Sequence, residues 1–206
     1  MKRLIPFLLA LLTLCTLLLS CGGSQEPPAT AEEVSAAAVA LLDRSLLVNS
    51  IFLGEGIPTS GEAFEGYMYA DTEYCREMGV ESVAELCLLA AEVYTPEVQD
   101  ILYRKALTTT EDTLADYRDL AVGRGLYVLS TREAWYKDTV HEYLTDTLLV
   151  TAIQKDTATV TVRVRITPEG KTPQERTLTL PLVRGEDGWR CDKLTCISYD
   201  DDLNEQ

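Results

Sequence analysis

The sequence predicts an α+β fold in which N-terminal helices pack on a curved antiparallel β-meander of about five to six strands. Three observations carry that expectation. Apolar residues recur at helical spacing between residues 31 and 106. After Thr108 the period changes to two, most cleanly over Ala158–Ile166. Turn-forming clusters then separate the alternating runs, the pattern of an antiparallel sheet with one wet face.

The elements follow in order. Thr30-Ala-Glu-Glu33 is a capping box, and Val34, Ala38, Leu41, Leu42, Ser45, Val48 and Phe52 recur behind it. A first helix is predicted over about 31–51, stopped by Gly54-Glu-Gly56-Ile-Pro58. Residues 57–64 read as a loop. Phe64–Ala70 is aromatic and suits a short strand. Asp71–Gly79 reads as one helical turn closed by Gly79. Ser82-Val-Ala-Glu85 is a second capping box. The helix behind it is apolar nearly all round, so burial is expected. Thr95-Pro96-Glu97 starts another helix, with Val98, Ile101, Leu102 and Ala106 as its inner face.

The strands come next. Leu126–Leu129 is one, and His141–Gln154 carries the β-branched run Leu148–Ile153. In Ala158–Ile166, Val160, Val162, Val164 and Ile166 face one side and Thr159, Thr161, Arg163 and Arg165 the other. Thr177–Leu182 repeats the alternation, and Gly188–Leu194 closes the set. Lys155-Asp156, Pro168–Lys171 and Gly185–Gly188 are the turns between them.

The N-terminus speaks of location. Met1-Lys2-Arg3 is positive, and Leu4–Leu19 is apolar apart from Thr13 and Thr16. That is the start of a secretory signal, slightly short of the roughly 20 residues a spanning helix needs. Leu18-Leu19-Ser20-Cys21 resembles the lipobox of bacterial lipoproteins, in which the cysteine is lipidated and becomes the new N-terminus. The resemblance implies a signal peptide over 1–20, a flexible tether over 21–30, and anchoring to the outer face of the cytoplasmic membrane. Gly22–Thr30, rich in Gly, Ser and Pro, suits the tether. One α+β domain over 31–198 and an acidic tail over 199–206 complete the chain.

Charge restricts the partners. The formal charge is −15, and losing Lys2 and Arg3 takes it to about −17. Such a surface disfavours nucleic acid, whose phosphates need Lys and Arg, and anionic lipid. A solvated exterior or a basic protein partner fits it. Beyond Cys15 and Cys21 four cysteines remain: Cys75, Cys87, Cys191 and Cys196. In an oxidising compartment they could pair in three ways or stay as free buried thiols. On one strand Cys191 and Cys196 would face opposite sides, so they bond only across a turn. No C-x-x-C spacing suggests zinc, and no cofactor is indicated.

A second resemblance concerns the domain. Tyr67-Met-Tyr69-Ala-Asp, Val83-Ala-Glu-Leu, Val93-Tyr-Thr-Pro-Glu97, Gly125-Leu-Tyr-Val128 and Asp187-Gly-Trp-Arg-Cys-Asp192 resemble, in order and spacing, a group of exported bacterial proteins. That group is related to inhibitors of peptidoglycan DL-endopeptidases. Cys191 and Cys196 depart from its pattern. Helices followed by a meander are also similar to the cystatin-like cone fold of the nuclear-transport-factor superfamily. Fold analogy confers no function by itself.

Several groups invite chemistry. His141, the only histidine, lies near Asp138, Glu142 and Ser130, but no nucleophile elbow accompanies them. A histidine at a strand edge is the simpler reading. Tyr136, Asp138, Tyr143 and Trp189 could line a pocket for a small molecule or an isomerase-like reaction, or simply fill a sheet–helix junction. Asp200-Asp-Asp202 lacks the spacing of a calcium loop, and Gly123-Arg-Gly125 that of a phosphate loop. Tyr67, Tyr69 and Tyr74, beside Glu65 and Glu73, could form a partner-binding loop or pack under a helix. No catalytic residue is assigned and the chain is expected not to be an enzyme. The expected role is an envelope binding module that regulates a wall hydrolase, with a subunit of a larger envelope assembly as a further alternative.

Overall fold

A computed structural model describes residues 28–119 and 125–197, with the side chains of 62–64 left aside. Cys21, Gly123 and Asp200–Asp202 lie outside the described residues. The described elements are α1 (Ala31–Phe52), β1 (Thr59–Phe64), β2 (Tyr67–Ala70), α2 (Thr72–Met78), α3 (Val83–Ala91) and α4 (Pro96–Ala106). They continue as β3 (Tyr117–Asp119), β4 (Leu126–Leu129), β5 (Thr139–Ile153), β6 (Thr157–Pro168), β7 (Gln174–Gly185) and β8 (Gly188–Cys191).

The fold is α+β, with helices gathered in the N-terminal half. The strands divide into two antiparallel sheets of four rather than one of five to six. One sheet is the meander β5-β6-β7-β8, and the other has the order β1-β2-β4-β3. Residues 57–64, expected to be a loop, hold β1, which pairs with β2 across the tight turn at Glu65-Gly66. β3 was likewise unexpected; it adds to β4 from Tyr117 to Asp119. Neither segment alternates in sequence, and each is fixed by its neighbour's hydrogen bonds.

α1 forms because Thr30 caps it, its side chain accepting from the Glu33 N–H at 3.1 Å. Its buried stripe is the predicted one: Val34, Ala38, Leu41, Leu42, Ser45, Val48 and Phe52. α1 lies against the meander, where Val160, Val162, Val164, Ile166, Leu178, Leu180 and Leu182 are all buried. Fully burying each large aliphatic side chain contributes ~1.5–3 kcal/mol, so this seam dominates the fold. α1 is also long and apolar enough to cross a membrane, yet here it is the core helix of the domain.

The shorter helices obey local rules. Asp71 caps α2 and Gly79 ends it at φ 67°, so the expected turn is a complete short helix. α3 is less buried than its composition suggested: Leu86 and Ala90 are inside, but Leu88 is 66% exposed. In α4, Val98, Leu102 and Ala106 are buried as predicted, while Ile101 points outward. Beyond β8, Val93–Thr95 continues the sheet, with Cys191 N–H donating to Val93 O and Thr95 N–H to Cys191 O.

A buried polar cluster ties α1 to β5, to Tyr94 between α3 and α4, and to Thr195 near the C-terminus. Tyr94 OH donates to Asn49 Oδ1 at 2.7 Å, and Asn49 Nδ2 donates to Thr195 Oγ1 at 2.8 Å. Thr195 Oγ1 donates to Ser45 Oγ, and Ser45 Oγ to Leu42 O. Tyr143 OH donates to Thr195 O at 3.2 Å. Each buried group thus has a partner, which the low dielectric of the interior demands.

Candidate functional site

Two connected depressions border α1. The first is a cleft of about 250 Å³ at its C-terminal end, between Asn49, Ser50 and Gly54 of the helix region and Thr139–His141 of β5. Tyr136, Tyr143 and Cys196 line it, and Glu55 and Asp138 stand among its acidic residues. The second is a groove of about 690 Å³ running back between α1 and β5. Ala36, Val39, Ala40 and Leu46 supply its helical wall, and Val140–Tyr143 its strand wall. Leu46, Val140, His141 and Tyr143 belong to both.

Local structure explains the residues at the cleft. Asp138 sits at φ 51° and turns the chain into β5, its N–H donating to Glu55 Oε1 at 3.0 Å. His141 Nε2 donates to Ile197 O at 2.8 Å, and its ring stands edge-on to Tyr136 at 4.9 Å. Burial pushes the imidazole below its usual range, only partly offset by that hydrogen bond. Burial raises Tyr143 to about 12 and lifts Tyr136 further, so both phenols stay protonated. Cys196 is likewise pushed up to about 12 by burial. A thiol so protonated is a poor nucleophile.

The structure thus brings Tyr136, Asp138 and Tyr143 together but leaves Trp189 out. Trp189 packs at the opposite end of α1, where its Nε1 donates to Glu33 Oε1 at 3.4 Å. Asp138 is exposed at the rim, not at the base that an enolising carboxylate would need. The structure likewise forms no triad, in keeping with the simpler strand-edge reading: the hydrogen-bond partner of His141 Nε2 is a backbone carbonyl, and Ser130 Oγ donates to Gly66 O.

The proposed tyrosine loop is not one surface. β2 is an inner strand, and Tyr67 and Tyr69, two residues apart, share one face of the sheet but differ in exposure. Tyr67 is fully buried, with its OH donating to Ala115 O at 2.7 Å and Arg118 stacked 3.8 Å over its ring. It cannot touch a partner. Tyr69 lies outside beside Tyr127, with ring centroids 4.7 Å apart. Tyr74 is half-buried on α2. Glu65 pairs with Arg118 at 3.2 Å and Glu73 with Arg76 at 3.7 Å, both on the surface.

Cys75, Cys87, Cys191 and Cys196 are all free thiols. Cys191 ends β8 in the core, and Cys196 lies beyond it in irregular chain at the cleft. The groove-forming residues Val39, Asp43, Leu46 and Val140 escaped the sequence reading. Their trace was a second apolar stripe on α1, Ala36, Val39, Ala40 and Leu46, outside the stripe that faces the core. No protein-family model matches the chain, and no curated protein matches it.

Proposed function

We propose that this chain is a lipid-anchored, non-catalytic binding module outside the cytoplasmic membrane, and that it restrains a cell-wall hydrolase. One observation carries the reading: Cys21 follows an apolar signal and precedes a capped helix by a short polar tether. Residues 22–30 span at most about 30 Å when extended, at ~3.4 Å per residue. The domain therefore stays close to the bilayer, joined to it through the start of α1. A helix of 22 residues is about 33 Å long at 1.5 Å per residue. The cleft at its far end is thus the part of the groove system most remote from the tether. The resemblance of its spaced motifs to the endopeptidase-inhibitor group supports a hydrolase as partner.

The reading is tested with residues 22–206, which retain every described element. At stoichiometric amounts they slow the digestion of purified peptidoglycan by a DL-endopeptidase. Undiminished digestion across a panel of wall hydrolases removes the restraint from the account.

A further inference from the structure

The open edge of β5 has the chemistry to accept another strand. In an antiparallel pair, residues alternate between exchanging hydrogen bonds with the neighbour and pointing their backbone groups away. Asp138 O accepts from Glu169 N–H, and Thr139 pairs with Pro168, which has no N–H. The parity is therefore fixed. Val140 and Glu142 bond inward to β6, while Thr139, His141 and Tyr143 direct their N–H and C=O groups outward. No described residue satisfies those outward groups. At the other edge of the sheet, β8 is covered by Val93–Thr95. Unpaired strand edges of this kind are templates for strand addition.

The surroundings select the occupant. The groove lies along this edge, so its walls include four consecutive residues of β5, from Val140 to Tyr143. Its apolar surface is real: Val39 is 37% exposed, Leu46 38% and Val140 65%. Its charged residues are Asp43 and Glu142, joined at the cleft by Glu55 and Asp138. Neither depression is lined by lysine or arginine. Arg165 meets Glu142 at 2.7 Å from the neighbouring strand and offsets one of these charges.

We propose that the β5 edge binds an extended segment of a partner protein, with apolar residues alternating with lysine or arginine. The bound segment would continue the meander as a fifth strand, one face toward Val39 and Leu46. This rests on the binding-module reading and names its partner's chemistry. Charge disfavours two other occupants. The chain's own residues 198–206 leave Ile197 beside His141, but they carry Asp200, Asp201, Asp202 and Glu205. A second copy would bring another acidic edge to this one.

The test uses the full-length protein in phosphatidylcholine nanodiscs, with empty discs as blank and no hydrolase present. The probe is an eight-residue peptide alternating lysine and valine; its counterpart replaces each lysine with glutamate. Calorimetry should show the lysine peptide binding at least tenfold tighter, with the gap narrowing as salt rises. Backbone N-methylation of one alternate set of amides should abolish binding, and of the other set leave it within twofold. Asp43→Lys with Glu142→Lys should reverse the charge preference. Absent or equal binding of the two peptides overturns the proposal, as does tolerance of N-methylation in both registers. Binding that appears only after residues 198–206 are deleted makes the tail the occupant and overturns it too. Because the assay holds no wall enzyme, its failure is separable from failure of the hydrolase reading.

Discussion

His141 shows how one side chain can be misread from its neighbours in sequence. Asp138 and Glu142 flank it closely, yet its Nε2 donates to the backbone of Ile197 and its ring packs against Tyr136. It fastens the C-terminal segment to β5. Tyr143, Cys196, Glu55 and Asp138 share its cleft, and burial keeps its pKa below that of the unfolded chain. The unfolded state therefore binds the extra proton first as pH falls. This contribution to stability is fully present above about pH 6.5 and declines below it. His141→Gln keeps a donor and removes the titration. Urea melts from pH 7 to pH 5 should show wild type losing more stability than the variant. Parallel losses would mean that the imidazole is not held neutral by the fold.

At the level of elements, legibility followed locality. The inner stripe of α1, its cap, and the alternation of β6 and β7 were readable because each is decided within one segment. β1 and β3 were not, since Thr-Ser-Gly-Glu-Ala-Phe and Tyr-Arg-Asp become strands only beside β2 and β4. The division into two sheets was hidden for the same reason. The groove joins the outer stripe of α1 to a strand that begins 87 residues after the helix ends, a juxtaposition no local pattern encodes. The end of α1 offers a direct check on such long-range design. Tyr117 OH and Arg132 Nη2 both donate to Ile51 O, and Arg132 Nη1 to Gly54 O, satisfying carbonyls the helix leaves open. Gly56 sits beneath them at φ 81°, where a Cβ would come within 2.7 Å of Tyr117 Oη and 2.8 Å of Arg132 Nη1. Gly170, at φ 69°, faces open space. Gly170→Ala should cost only backbone strain, about 1 kcal/mol. Gly56→Ala adds the clash and should cost at least ~2 kcal/mol more by chemical denaturation. Equal losses would show that these two side chains do not form a rigid cap.

For the whole molecule, the features point one way. An acidic domain with its cysteines kept as free thiols folds around one long helix. The far end of that helix borders a cleft continuous with an open strand edge. On the proposed reading, location and recognition occupy opposite ends of a single element. The proposed location rests on residues 1–21, a short contiguous pattern. The proposed recognition edge had no such pattern, because it depends on which strand edge the completed sheet leaves uncovered. Cells fed radiolabelled palmitate should yield this protein labelled and in the membrane fraction, while Cys21→Ser should abolish the label and leave unprocessed precursor or released protein. An unlabelled wild-type chain recovered from the cytosol would contradict the lipid-anchored reading.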